Sequence, residues 1–222
     1  PYALEDSTPP DVYNIFPGFP LEKYKNSRVD VRKTCIWTWL EVAISDRTEH
    51  KLNYMLNYFA SKLQCPLKKI KKFLCLYGEK TGTGKTSIRY FLQALTSPES
   101  VRFCENMHQF QDKFTALSLG RLFCVTDDIE KWTKQQTDDL KSKITNDTFI
   151  YRKMRMDPVQ MDSYEDLICT SNNRTPYIGH NDRRTELIVM NESLKAGSES
   201  CPQNFTWKKF YAELANLEVM GA

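Results

Sequence analysis

The sequence predicts an α/β fold: a five-stranded, mainly parallel sheet flanked by helices and preceded by a small helical segment. Three observations carry this expectation. Five short, continuous apolar segments recur at Phe73–Tyr77, Val101–Cys104, Leu122–Thr126, Asp166–Thr170 and Glu186–Met190, and their length and continuity suit buried strands. Apolar stripes spaced three and four apart, the mark of one helical face, lie between successive segments. A glycine-rich turn, Gly82-Thr83-Gly84-Lys85-Thr86, leaves the first strand and enters a helix.

Taken in order, residues 1–27 carry Pro9, Pro10, Pro17 and Pro20 with Gly18 and read as an extended arm rather than a helix. The chain begins without Met, and we expect it to be a fragment of a longer protein, tethered by this arm to an upstream domain. Residues 28–66 read as a helical, collar-like segment. There Leu52, Met55, Leu56, Phe59, Ala60 and Leu63 share a face, and Pro66 closes the helix. Residues 67–222 hold the sheet. Ile88, Phe91, Leu92 and Leu95 form a helical stripe ahead of Pro98, and Phe110, Phe114 and Leu117 form the next.

The 222 residues suffice for one large domain, or one domain with an appendage, around a sizeable core. A net charge of +3, from 31 basic and 28 acidic residues, is too small to indicate a polyanionic partner, so placement of the cations has to carry that question. The run Lys68-Lys69 with Lys71-Lys72 reads as a solvated edge before the first strand. The seven cysteines are odd in number and show no Cys-x-x-Cys spacing, which favours neither a disulfide framework nor a zinc ribbon. Four of them fall inside the apolar strands and read as small core residues. No apolar run approaches the ~20 residues of a membrane span, and the opening is not signal-like. The chain is expected to be soluble and intracellular, with no membrane partner.

The chemistry starts at the turn. Backbone N–H groups in a strand–Gly-rich turn–helix unit face a phosphate, and the helix dipole adds positive potential there. Gly82, Thr83, Gly84, Lys85, Thr86 and Ser87 are the candidate ATP-binding residues, with Lys85 neutralising the β- and γ-phosphates and the Thr86 hydroxyl ligating Mg²⁺. One position departs from the P-loop pattern. Glu79 stands where its first glycine belongs and Gly78 lies one residue early, so the loop is either a residue longer or uses Gly82 for its turn. A second acid to hold the metal is expected at the end of a buried strand, and Asp127-Asp128 follows Leu122–Thr126 there. Asp127 is assigned to Mg²⁺ and Asp128 to the attacking water. Asn172 stands just past the fourth strand, within reach of the γ-phosphate or the water. Arg183 and Arg184 precede the fifth strand and can supply a bidentate donor to a neighbouring subunit's γ-phosphate, or equally form a surface ion-pair cluster with Asp182.

In their order, the glycine-rich loop, Asp127-Asp128, the basic stretch Ile150-Tyr151-Arg152-Lys153, Thr170-Ser171-Asn172 and Arg183-Arg184 resemble the motifs of superfamily 3 helicases, closest to the motor domains of viral and phage primase-helicases. Tyr13-Asn14-Ile15-Phe16-Pro17-Gly18-Phe19 resembles the lead-in to those motors. The resemblance implies an AAA+-like ATPase over residues 67–222, with the sensor strand between the two Walker strands, hexameric assembly, and a primase-type domain upstream. It also implies that Asn172 is the polar sensor, that Arg183 or Arg184 is the finger acting across a subunit interface, and that a β-hairpin between the acidic pair and the sensor grips single-stranded DNA. Thr148–Arg155 occupies that interval; its residues are β-prone at Phe149, Ile150 and Tyr151 and end in Arg152, Lys153 and Arg155. Two other readings stay open: a P-loop nucleoside or nucleotide kinase with Asn172 and the arginines on the acceptor, and a nucleic-acid-binding assembly protein that binds ATP but turns it over poorly.

Overall fold

Seven strands form among the described residues of the computed structural model, which are 18–24, 26–105, 109, 115–127, 133–173 and 182–222. They are β1 (Phe73–Tyr77), β2 (Val101–Cys104), β3 (Phe123–Thr126), β4 (Thr148–Tyr151), β5 (Val159–Asp162), β6 (Asp166–Ser171) and β7 (Thr185–Val189). Five of them build one sheet in the order β2-β3-β6-β1-β7, and every pairing in it is parallel. These are the five expected strands, each within a residue of its expected bounds. β6 lies between β1 and β3, so the carboxyl ends of three adjacent strands meet at one edge.

Side chains alternate between the two faces, as the strand period requires. Leu74, Leu76, Val125, Ile168 and Ile188 face a large core shared with α1 (Cys35–Thr38), which runs on as a π-helical turn through Ile44, and with α2 (Glu49–Gln64), α3 (Ser87–Leu95) and α5 (Trp207–Leu214). Trp39 and Phe59 reach Phe91 with ring centroids 5.5 and 5.2 Å apart, and Trp39 meets Phe210 at 5.4 Å. The helical segment before β1 therefore shares the core of the sheet. On the other face Phe73, Leu167 and the thiols of Cys75, Cys104, Cys124 and Cys169 pack under Leu140 and Ile144 of α4 (Lys134–Thr145).

Three local expectations need correction. Within the arm, Pro20–Tyr24 forms a 3-10 turn rather than extended chain. Proline's fixed φ suits a first helical position, the Glu22 carboxylate accepts from Phe19 N at 3.2 Å, and the turn packs on α6 (Leu217–Met220). Leu117 lies in a 3-10 turn and is exposed; Phe110 and Phe114 of the same stripe lie outside the described residues. The lysine run is a solvated edge only in part: Lys68 and Lys71 are exposed, but Lys69 is not. Lys69 is buried and donates to Lys143 O at 2.7 Å, Asn146 O at 3.0 Å and Ser163 Oγ at 3.3 Å, satisfying carbonyls at the end of α4. Lys71 pairs with Asp147 at 2.8 Å, and Lys72 donates to Arg183 O at 2.6 Å.

A buried ion pair fixes the start of β6. Lys62 of α2 sits 2.9 Å from Asp166, both side chains essentially inaccessible, and Asp166 Oδ1 also accepts from Ile70 N at 2.9 Å. Burial lowers the Lys62 pKa and raises that of Asp166, outweighing their mutual attraction. Each is thus easier to neutralise in the fold than in the unfolded chain. The Asp166 contribution is full below the unfolded carboxylate range and is lost as pH rises through its folded value. The Lys62 contribution is full above the unfolded lysine range and is lost as pH falls through its folded value. Removing one partner leaves the other buried without its counter-ion. Lys62→Met is expected to cost about 3–5 kcal/mol in urea unfolding at neutral pH, and adding Asp166→Asn should recover more than half of it.

Candidate functional site

β1 ends at Tyr77, and Gly78 N donates to Ser171 O at 3.1 Å, prolonging the β1–β6 ladder by one residue. The loop turns after that. Gly82 and Gly84 take φ values of 78° and 87°, the left-handed region that side chains rarely enter. Glu79 does not require that conformation, and its carboxylate accepts from the Tyr77 hydroxyl at 2.9 Å. Of the two ways the loop can accommodate Glu79, the turn at Gly82 is the one found. Gly84 has a second reason to lack a side chain. A Cβ there would lie 2.2 Å from Trp207 Cη2 and 3.1 Å from Trp39 Nε1.

Lys85 is buried, and its ammonium donates to Gly78 O and Lys80 O, both at 2.8 Å, which holds the loop around the charge. β1 and β3 stand two strand spacings apart, about 10 Å. The loop closes that gap by carrying Thr86 across the end of β6, so that Thr86 Oγ1 lies 3.4 Å from Asp127 Oδ2. The other carboxylate oxygen, Asp127 Oδ1, accepts from Thr170 Oγ1 of β6.

These residues fit Mg²⁺. Hydroxyl and carboxylate are the hard oxygen donors it takes, and two neighbouring ligands of an octahedral site stand roughly 3 Å apart, close to the separation found here. Thr170 holds the Asp127 carboxylate in place; the sequence includes it in the stretch Thr170-Ser171-Asn172, where only Asn172 is given a role. Its one signal there is a hydroxyl ending the apolar run Leu167-Ile168-Cys169.

Gly82, Thr83, Gly84, Lys85, Thr86, Ser87, Asp127 and Asn172 line one cavity of about 420 Å³ at the carboxyl edge of the sheet. Ligands of open parallel sheets bind at that edge. Asp128 lies outside the described residues. Trp207 and Tyr211 of α5 complete the lining and were not expected.

Arg183 and Arg184 are not brought to this cavity. They precede β7 at the level where Phe73 begins β1, so the length of the sheet separates them from the glycine loop. Arg184 pairs with Asp182 at 2.9 Å, while Arg183 is exposed.

Between β3 and β6, β4 and β5 pair antiparallel from Thr148↔Asp162 to Tyr151↔Val159 as a separate two-stranded hairpin. Thr115 anchors it, donating to Ile150 O and accepting from Arg152 N at 2.9 Å. Arg152, Lys153 and Arg155 are all exposed in the connecting turn, with Arg155 left-handed at φ 60° and Met154 and Met156 exposed beside them.

A family of unknown function (DUF5906) matches residues 76–184, just under half of the chain, from the end of β1 to the arginines before β7. No curated protein matches. Among solved structures, two apo forms of the C-terminal region of NrS-1 superpose with TM-scores of 0.73 and 0.76 at 21% and 20% identity, covering 94% of this chain in both cases. The chain spans about half the length of those structures, 48% and 49%. At that identity the likeness shows the fold. A JCV helicase bound to a small molecule aligns at a TM-score of 0.46 with 14% identity over 74% of this chain and 46% of its own, too loosely to bear on function. Among the described residues no helix is long and apolar enough to cross a membrane.

Proposed function

We propose that the chain is the ATP-hydrolysing motor of a superfamily 3 type helicase, part of a viral or mobile-element replication protein with an upstream primase-type domain, acting as a homo-hexameric ring on single-stranded DNA. The observation that carries this reading is the convergence of Lys85, Thr86, Asp127 and Asn172 on one cavity, with the strand bearing Asn172 lying between the other two.

In this reading the loop amides and Lys85 hold the β- and γ-phosphates. Thr86 and Asp127 hold Mg²⁺, which when bound offsets charge on the phosphate oxygens. Thr170 keeps the Asp127 carboxylate turned toward Thr86. Asp128 orients the water and Asn172 contacts the γ-phosphate or that water. Arg183 or Arg184 completes the site of a neighbouring subunit, consistent with their distance from the cavity of their own chain. The same distance disfavours the kinase reading, which needs those arginines beside an acceptor at this cavity. The exposed cations Arg152, Lys153 and Arg155 grip the phosphates of DNA.

A shared site makes activity depend on assembly. Specific hydrolysis is expected to rise with protein concentration and then level off. Replacing whichever of Arg183 and Arg184 is the finger by Ala should lower the plateau by about 1000-fold. A rate per chain that is constant over the whole concentration range, with both alanine variants fully active, excludes the shared site.

A further inference from the structure

We infer that Trp207 and Tyr211 form the nucleobase subsite of this cavity, a stacking platform that reads a base by its flat face and scarcely by its edge. The inference rests on the proposal that the glycine loop binds a nucleoside triphosphate, and it names the part of the ligand that the loop leaves unaddressed.

Position comes first. A phosphate chain held by the amides of Gly82 to Thr86 leaves the loop past Ser87, the first residue of α3. At that point α5 crosses. The Tyr211 hydroxyl lies 3.0 Å from Ser87 Oγ, and the Trp207 ring lies against the Gly84 backbone. Both side chains line the same cavity as Lys85 and Asp127. A base attached through ribose to the α-phosphate reaches that wall, and among the described residues no other aromatic group lines the cavity.

Chemistry comes second. Trp207 and Tyr211 are inclined to each other by 35° with centroids 6.2 Å apart, an open arrangement that presents ring faces. Their polar atoms are already engaged, Trp207 Nε1 donating to Leu194 O at 3.0 Å and the Tyr211 hydroxyl bonded to Ser87. The aromatic wall thus offers the base π-surface rather than donors and acceptors matched to an adenine edge. Every base has a π-face, so stacking tolerates different bases and favours the larger purines.

A cap and the core hold α5 in place. Thr206 caps it by accepting from Lys209 N at 3.1 Å, and Phe210 and Leu214 bury its inner face in the main core. Tyr211 stays 43% exposed, toward the ligand side, beside Tyr90 of α3 at 5.7 Å.

The test compares ligands with and without a base on the intact chain by calorimetry: Mg·ATP, Mg·GTP and inorganic tripolyphosphate with Mg²⁺. The parent is expected to bind ATP and GTP within about threefold of each other, and both at least tenfold more tightly than tripolyphosphate, the amount a stacked base supplies. Tyr211→Ala should weaken both nucleotides by about tenfold and leave tripolyphosphate unchanged. Trp207→Ala should do the same or more, and Trp207→Phe should restore most of the loss.

Because Trp207 also supports Gly84, the Tyr211 variant decides the matter if Trp207→Ala weakens tripolyphosphate too. Tyr211→Ala weakening nucleotide and tripolyphosphate in parallel, or neither, overturns the subsite. So does an ATP preference over GTP above about thirtyfold, which stacking does not give. Failure of the underlying reading looks different. In that case Lys85→Ala leaves the binding of all three ligands unchanged, whereas a failed subsite leaves them sensitive to Lys85 and indifferent to the rings.

Discussion

Replacing Lys85 by Ala is expected to reduce ATP hydrolysis by about 100-fold or more, the usual cost of deleting one preorganised donor to a developing oxyanion. Two effects act together. The variant removes the only lysine or arginine lining the cavity among the described residues, and it removes the donor that joins Gly78 O to Lys80 O across the loop. Because the buried ammonium holds the loop in shape, the loss should extend to binding, with weaker retention of Mg·ATP as well as slower turnover. Steady-state hydrolysis and equilibrium binding on the same preparation separate the two. A variant that hydrolyses ATP within twofold of the parent would show that the loop is a structural turn.

The second large effect is at the hairpin. Replacing Arg152, Lys153 and Arg155 together by Ala should collapse affinity for single-stranded DNA and lower the slope of log affinity against log salt by about 2, at roughly 0.7 for each phosphate that is no longer neutralised. The three side chains are exposed, so the thermal unfolding midpoint should stay close to that of the parent. Fluorescence anisotropy of a labelled oligonucleotide across a salt series measures both numbers. An unchanged slope would mean that the hairpin cations touch no phosphate.

Much of this architecture was legible because the relevant signals are local. Phe73–Tyr77 and Asp166–Thr170 are buried on both faces, and such strands announce themselves as unbroken apolar runs. Gly82 and Gly84 stand where backbone geometry excludes other residues, and the aspartate after β3 sits where a strand must end. The helix and π-turn through Ile44 were less visible. Trp39, Leu40, Val42, Ala43 and Ile44 are all buried, and an element wrapped by the core shows no polar stripe to mark its period.

The fate of the lysine run depended on tertiary structure. Nothing next to Lys69 in sequence indicates that its ammonium ends on the carbonyls of Lys143 and Asn146. The same holds for Lys62 and Asp166, which are far apart in the chain and meet only in the fold. α5 could have been found, since Thr206 followed by Trp207, Phe210 and Leu214 gives a capping residue and a stripe. Its place beside Ser87 could not, because no local pattern brings position 211 to position 87. Arg183 and Arg184 differ again: their distance from the cavity is plain in the fold, and in the proposed ring their use depends on a second chain.

The most direct measurement is steady-state ATP hydrolysis with and without single-stranded DNA, at a protein concentration above that needed for assembly. A DNA-driven motor predicts Mg²⁺-dependent hydrolysis that single-stranded DNA accelerates and that added salt returns to the DNA-free rate. Hydrolysis that no concentration of DNA alters, or nucleotide binding without turnover under every condition, would contradict it.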